Sequence, residues 1–130
     1  MVLYPSTEKI IEFNLLSLNI IKAKRADSPK LLSGEKLRRV LVSCKEFEGD
    51  IFGKAVVLLK GLVQAHAFAS GNRKTAFLAT KYFLALNGQK LGIGDEPRNA
   101  KVLLGIRENY YSDEEIKEWI KNGKIREFKR

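Results

Sequence analysis

Two amphipathic helices interrupted at one point, Ser70-Gly71, can be read between residues 50 and 88. This break constrains the chain more than any other feature. A long apolar-striped helix runs into it and another runs out of it. Asp50 is a good N-cap for the first. Ile51, Ala55, Leu59, Leu62 and His66 then follow at spacings of three or four, which predicts that the only histidine lies on the core-facing stripe at the last turn. After the break a helix is expected from about Asn72 to Leu86, with Phe77, Thr80/Lys81 and Leu84 marking its turns. Asn87-Gly88 supplies a left-handed stop.

The rest of the chain is also helical in pattern. A first helix is expected from Thr7 to about Lys24. It has Ile10, Phe13, Ser17 and Ile21 along one side and Ile11, Leu15 and Leu18 along another, so it reads as buried on more than one side. A polar loop, Arg25 to Lys30, carries Pro29. Ser33 can cap a second helix running to about Ser43. Val40-Leu41-Val42 is rich in β-formers and allows a short extended flap instead. Glu46 to Gly49 is a break. Pro97 favours a helix start and predicts a fifth helix to about Asn109. Ser112-Asp113-Glu114-Glu115 reads as a capping box opening a sixth, with Trp119 on its buried side and Asn122-Gly123 at its end. No repeat, low-complexity segment or linker is present. The expectation is one all-α domain, residues 1–130, a compact bundle of about six helices.

A chain of 130 residues fits one domain and needs no disulfide or metal staple. The single cysteine, Cys44, excludes an internal disulfide and a cysteine-based zinc site, and a reducing cytoplasm is the expected location. The opening residues carry no signal-peptide pattern, and no apolar run approaches the ~20 residues of a membrane span. The net charge of +9 invites a nucleic-acid reading. Lys and Arg are spread along the chain, however, except for a basic end made of Lys117, Lys121, Lys124, Arg126, Lys129 and Arg130. No groove-reading motif or stacked aromatic array accompanies them, so nucleic acid is not the expected partner.

The chemistry concentrates in His66-Ala67-Phe68-Ala69-Ser70-Gly71-Asn72-Arg73-Lys74-Thr75. Gly71 permits a tight bend and close approach of a ligand. The N–H groups of about Gly71 to Thr75 open a helix and should lack intrahelical partners, and the helix dipole adds partial positive charge. Arg73 and Lys74 flank that nest, and Asn72 adds a neutral donor. Basic residues in a first turn oppose the dipole unless an anion visits. Together these residues form a candidate phosphate cradle. A histidine one loop away, with an ordinary pKa near ~6.5, suits a general base for an attacking hydroxyl. Phe68 would anchor the connecting loop.

His66-x-Phe68-x-x-Gly71-Asn72, followed by two basic residues and Thr75-Ala76, resembles the signature of the Fic/Doc (death-on-curing) family, H-x-F-x-D/E-G-N-G/K-R. The likeness is strong over residues 47–91, including Asp50 to Ala55 and Phe83 to Gly88. It implies a helical bundle that binds ATP with magnesium. The Fic branch transfers AMP to a protein hydroxyl. The Doc branch transfers the γ-phosphoryl group to a threonine of a translation elongation factor. On that resemblance His66 is the base, Gly71 and Asn72 hold phosphate with Arg73, Lys74 and Thr75 beside them, and Phe68 is structural. Arg73 stands where Doc-like members have Lys, and Phe77 occupies the place of the second Fic arginine, so the pattern is Doc-like. An antitoxin protein is the implied partner, because the nearest self-inhibitory string, Cys44 to Gly49, has Cys at its first position.

Two departures separate the chain from the pattern. Ser70 stands where the magnesium-binding carboxylate is found. Asp50, sixteen residues from His66 at ~1.5 Å rise per residue, would be ~24 Å away along its helix and cannot replace it. Lys74 replaces an arginine, keeping the charge but losing the bidentate fork. The readings are therefore a Doc-like phosphotransferase toxin, an AMP-transferring relative, or a catalytically impaired Doc fold acting as a nucleotide- or protein-binding module.

Overall fold

The computed structural model describes residues 1–21 and 31–129, with the backbone alone for residues 19–21. Among the described residues the chain forms six helices: α1 (Thr7–Ile21), α2 (Gly34–Glu46), α3 (Ile51–Ala65), α4 (Asn72–Leu86), α5 (Arg98–Arg107) and α6 (Asp113–Asn122). The only extended pairing among them is an isolated antiparallel bridge between Leu31 and Phe68. Val40-Leu41-Val42 lies inside α2, so the short extended flap does not form there. Leu37, Val40, Leu41 and Cys44 fall on one helical face and are buried together, which outweighs the β-preference of the valines. The continuation of the first helix to Lys24 and the loop Arg25 to Lys30 lie outside the described residues, as does the side chain of Ile21.

α3 is the central helix. It packs against α4, α2, α6 and α5, while α1 lies across α4 and α2. Leu58, Leu59, Leu62 and Val63 of α3 meet Phe83 and Leu84 of α4, and Ile116, Trp119 and Ile120 of α6, in one core. α1 buries a single narrow stripe, Ile10, Asn14 and Ser17, and leaves Leu15 and Leu16 exposed. The expectation of burial on more than one side is therefore corrected. Among the described residues α1 packs on α4 and α2, both on the side of its buried stripe.

Local chemistry fixes most helix starts. The side chains of Ser6, Ser33, Asp50 and Ser112 accept hydrogen bonds from the first-turn amides of Lys9, Lys36, Gly53 and Glu115. Ser112 and Glu115 complete a reciprocal capping box. The Glu115 carboxyl is held down to about 2, mainly by the Arg126 guanidinium and then by the Ser112 amide. Asp50 is also lowered, first by the Gly53 amide and then by Lys117. Both carboxylates are favoured in their charged form by folding. The stability they contribute is complete above the unfolded carboxylate pKa, about 4–4.5, and is lost as pH falls through the folded values. The thermal midpoint, followed by circular dichroism, should fall between about pH 4.5 and pH 2, and Glu115→Gln should flatten that limb. An unaltered limb in Glu115→Gln would assign the acid loss to other carboxylates.

The loop from α4 to α5 docks on the end of α6. Gly92 N–H donates to Ile120 C=O at 2.7 Å. A Cβ on Gly92 would lie 2.2 Å from the Lys121 carbonyl oxygen, so only glycine lets the two backbones meet. This contact carries Asp95, Glu96 and Pro97 toward the head of α4.

Candidate functional site

The break between α3 and α4 is held from inside. Ala67 and Phe68 are buried, and the Leu32 and Ser33 amides donate to Ala67 C=O at 2.7 and 3.2 Å. Asn72 closes the loop from its other end. Its Oδ1 accepts from Phe68 N–H at 3.0 Å, and its Nδ2 donates to Phe68 C=O at 2.8 Å. One side-chain amide thus reads both backbone groups of a residue four positions earlier. Phe68 and Asn72 are therefore the two pins of the loop.

His66 departs from its expected place. It lies beyond the last turn as the C-cap of α3, with φ 52° and ψ 50°, and its side chain is exposed. A left-handed backbone at a non-glycine residue ends the helix one step before the stripe reaches it, and turns the ring away from the core. The imidazole Nδ1 lies 3.4 Å from Asn72 Nδ2. Phe68 fixes the Asn72 amide so that this nitrogen can only donate. A neutral His66 in this arrangement keeps its Nδ1 lone pair toward Asn72 and carries its proton on Nε2.

Gly71, at φ 76°, is the N-cap of α4 and has no side chain with which to cap it. The first intrahelical bond is Thr75 N–H to Gly71 C=O at 2.9 Å. The amides of Gly71, Asn72, Arg73 and Lys74 precede it, and no acidic residue stands in this turn. Thr75 differs from the expected set: its amide is bonded, and its buried hydroxyl donates to Gly71 C=O at 2.7 Å, so it faces inward. Gly71, Asn72, Arg73 and Lys74 line a cavity of about 470 Å³, whose other wall is Phe77, Asp95, Glu96, Pro97, Asn99, Ala100 and Leu103. His66, Ser70 and Thr75 do not line it. Asn72 links the cavity to His66.

The cavity lining mixes charged and apolar side chains. Lys74 Nζ lies 3.3 Å from an Asp95 carboxylate oxygen and 5.5 Å from the Phe77 ring centre. Glu96 is paired with Arg98 at 2.9 Å. Arg73 has no ion pair among the described residues and is exposed. The N-terminus of α5 also reaches the cavity, but its Asn99 and Ala100 amides already donate to Glu96 and Pro97 carbonyls. No hydrogen bond from the α4 amides of Gly71, Asn72, Arg73 and Lys74 is found among the described residues. Ser70 is exposed and offers a neutral hydroxyl. The described residues contain no group of three or more His, Cys, Asp or Glu suited to a metal ion. Cys44 is no nucleophile, because burial pushes its thiol up to about 11 despite Lys54 nearby.

Sequence patterning gave no sign of Asp95 or Glu96, which it left in a loop, or of the apolar wall from α5. Asn14 of α1 was also missed. Its Nδ2 donates to Ser70 C=O at 2.9 Å and to Thr75 Oγ1 at 3.1 Å. A polar residue on an otherwise apolar helical face was the available signal, at Asn14 as at Ser17.

No helix among the described residues is long and apolar enough to cross a membrane. No curated protein matches the chain. The model of the Fic/DOC family matches residues 26–84, a segment somewhat short of half the chain that takes in α2, α3, the His66–Asn72 loop and most of α4. Over that segment the chain is similar to the Fic/DOC family, and the matched residues centre on the loop between α3 and α4.

Proposed function

We propose that this chain is a Doc-like group-transfer protein that binds ATP in the cavity at the head of α4. The observation that carries the reading is the uncapped start of α4, with Arg73 and Lys74 in its first turn, opening into a cavity of about 470 Å³ whose lining also includes the apolar Phe77, Pro97, Ala100 and Leu103. The volume falls within the ~300–1,000 Å³ of small-molecule sites. Phosphates suit the α4 amides and Arg73, and a planar base suits the apolar side chains of Phe77, Pro97, Ala100 and Leu103. His66 lies outside the lining, where a nucleophile rather than the nucleotide would approach. The hydroxyl oxygen of a protein substrate attacks the γ-phosphorus, and its proton goes to His66. The bond from the γ-phosphorus to the β–γ bridging oxygen breaks, and ADP leaves. Arg73 and the α4 amides take up the charge on the phosphoryl oxygens.

The family resemblance adds magnesium, which would supply positive charge to offset the phosphates when bound. The donors in this chain do not fit a protein-held ion: Ser70 is a neutral hydroxyl, and Asp95, the nearest cavity carboxylate to α4, is paired with Lys74. The reaction above therefore uses only His66, Arg73 and the α4 amides. The same reading includes an antitoxin as partner and an elongation-factor threonine as the acceptor.

The test incubates the protein with α-labelled or γ-labelled ATP, divalent metal and cell extract. γ-Label alone on an acceptor supports phosphoryl transfer; α-label on the acceptor replaces it with AMP transfer. Ser70 and the Lys74–Asp95 pair favour a second reading, a nucleotide- or protein-binding module without turnover. On that reading the wild type transfers nothing, and Ser70→Asp, by adding the missing carboxylate, should create transfer. Readily measured wild-type turnover ends the second reading.

A further inference from the structure

We infer that Asn14 is a positioning residue for the phosphate-facing amides at the head of α4, an inference that rests on reading that terminus as a phosphate site. Asn14 lies on α1, outside the segment matched by the family model. Its side chain is fully buried. The amide nitrogen donates twice, to Ser70 C=O at 2.9 Å and to Thr75 Oγ1 at 3.1 Å. The orientation of this amide follows from its partners. Ser70 presents a carbonyl, and the Thr75 hydroxyl already gives its proton to Gly71 C=O at 2.7 Å. Both positions require a donor.

Peptide planarity carries the consequence outward. The chain has no cis peptide bond among the described residues, so each C=O points opposite to the N–H of the next residue. Asn14 draws Ser70 C=O toward α1, which directs the Gly71 N–H away from α1. Thr75, held by Asn14, fixes Gly71 C=O through both its amide and its hydroxyl, which directs the Asn72 N–H out of the helix start. Two of the donors assigned to phosphate are thus aimed by one side chain behind them. α1 presses directly on this turn: a Cβ on Gly71 would lie 2.6 Å from Ser17 Oγ and 3.1 Å from Asn14 Nδ2.

Asn14 holds this position at a cost. Its Oδ1 is buried without a hydrogen-bond partner among the described residues. Such an orphan acceptor is unfavourable, and an apolar side chain of similar size would avoid it. What asparagine supplies and leucine cannot is the pair of donors toward the loop.

The experiment uses the full chain labelled with ¹⁵N, with inorganic pyrophosphate and ATP as separate probes. Binding is followed at the Gly71 amide, and affinities are taken on the folded fraction reported by Trp119 fluorescence. In the wild type, pyrophosphate should move the Gly71 amide and the Asn14 side-chain NH₂ signals together. Asn14→Leu and Asn14→Asp should each weaken pyrophosphate binding by about tenfold or more, while Ser17→Ala stays within about twofold. Folded Asn14→Leu or Asn14→Asp with wild-type affinity overturns the inference. A Gly71 shift that leaves the Asn14 signals unmoved also overturns it, whether or not the variants fold. Wild-type binding of pyrophosphate without ATP defeats the nucleotide reading and leaves Asn14 in its role. No Gly71 response to either probe defeats both.

Discussion

Replacing His66 by alanine should reduce transfer of label from γ-labelled ATP to a protein acceptor by about 10²–10⁴-fold, the range for loss of a positioned general base. The fold should survive. The ring is exposed at the C-cap of α3, and its recorded side-chain contact is the long approach to Asn72. A melting temperature near that of the wild type, measured alongside the assay, separates loss of chemistry from loss of structure. Nucleotide binding should change little, because His66 does not line the cavity. The expected signature is a fall in turnover at nearly constant affinity. Undiminished label transfer in His66→Ala would exclude His66 as the base. A parallel loss of affinity would instead make it a ligand-holding residue.

The largest stability effect is expected at Lys54→Met, about 3–5 kcal/mol, the cost of leaving buried polar partners uncompensated. Lys54 is 7% exposed, and its ammonium donates to the carbonyls of Cys44, Lys45 and Phe47 at 3.1, 3.0 and 2.7 Å. Three donors meet three acceptors, and those acceptors are the otherwise open carbonyls at the C-terminal end of α2, where the helix dipole favours a cation. The Tyr4 ring lies 5.5 Å away on another side of the charge. Methionine keeps the stem's apolar packing and removes all three bonds. Urea unfolding should show a lower midpoint with an unchanged slope. A loss below about 1 kcal/mol would mean that water replaces the ammonium at the carbonyls.

Lys54 shows where sequence reading runs out. On the sequence it is one of 24 basic residues, inside an apolar helix and one turn after the good cap Asp50. Nothing local distinguishes it from a solvated lysine. Its burial exists only because the end of α2 is brought over α3. His66 gives the same lesson in the opposite direction. Its spacing from Leu62 places it on the buried stripe, but that rule holds only while the backbone stays helical. The left-handed turn at His66 breaks the period at the residue that matters.

The helices themselves were legible. α3 and α4 run as their patterns predict, because caps, apolar period and left-handed stops act within a few residues of one another. The loop signature was legible for the same reason: His66, Phe68, Gly71 and Asn72 lie within seven positions. At Val40-Leu41-Val42 the sequence left helix and extended flap open. Burial of one face of α2 decided it, and burial depends on what packs there.

By itself, then, the sequence determined an all-α chain, the caps that open α2, α3 and α6, and the order of residues in the loop between α3 and α4, since each is set by short-range geometry. Only the tertiary structure decided which way those residues face. It turned His66 outward and Thr75 inward, set Asp95 against Lys74, and placed Asn14 behind Ser70 across 56 positions of chain. The Asn14 and Asp95 contacts follow from long-range packing of α1 and the α5 entry loop on α4, which no local period or cap encodes.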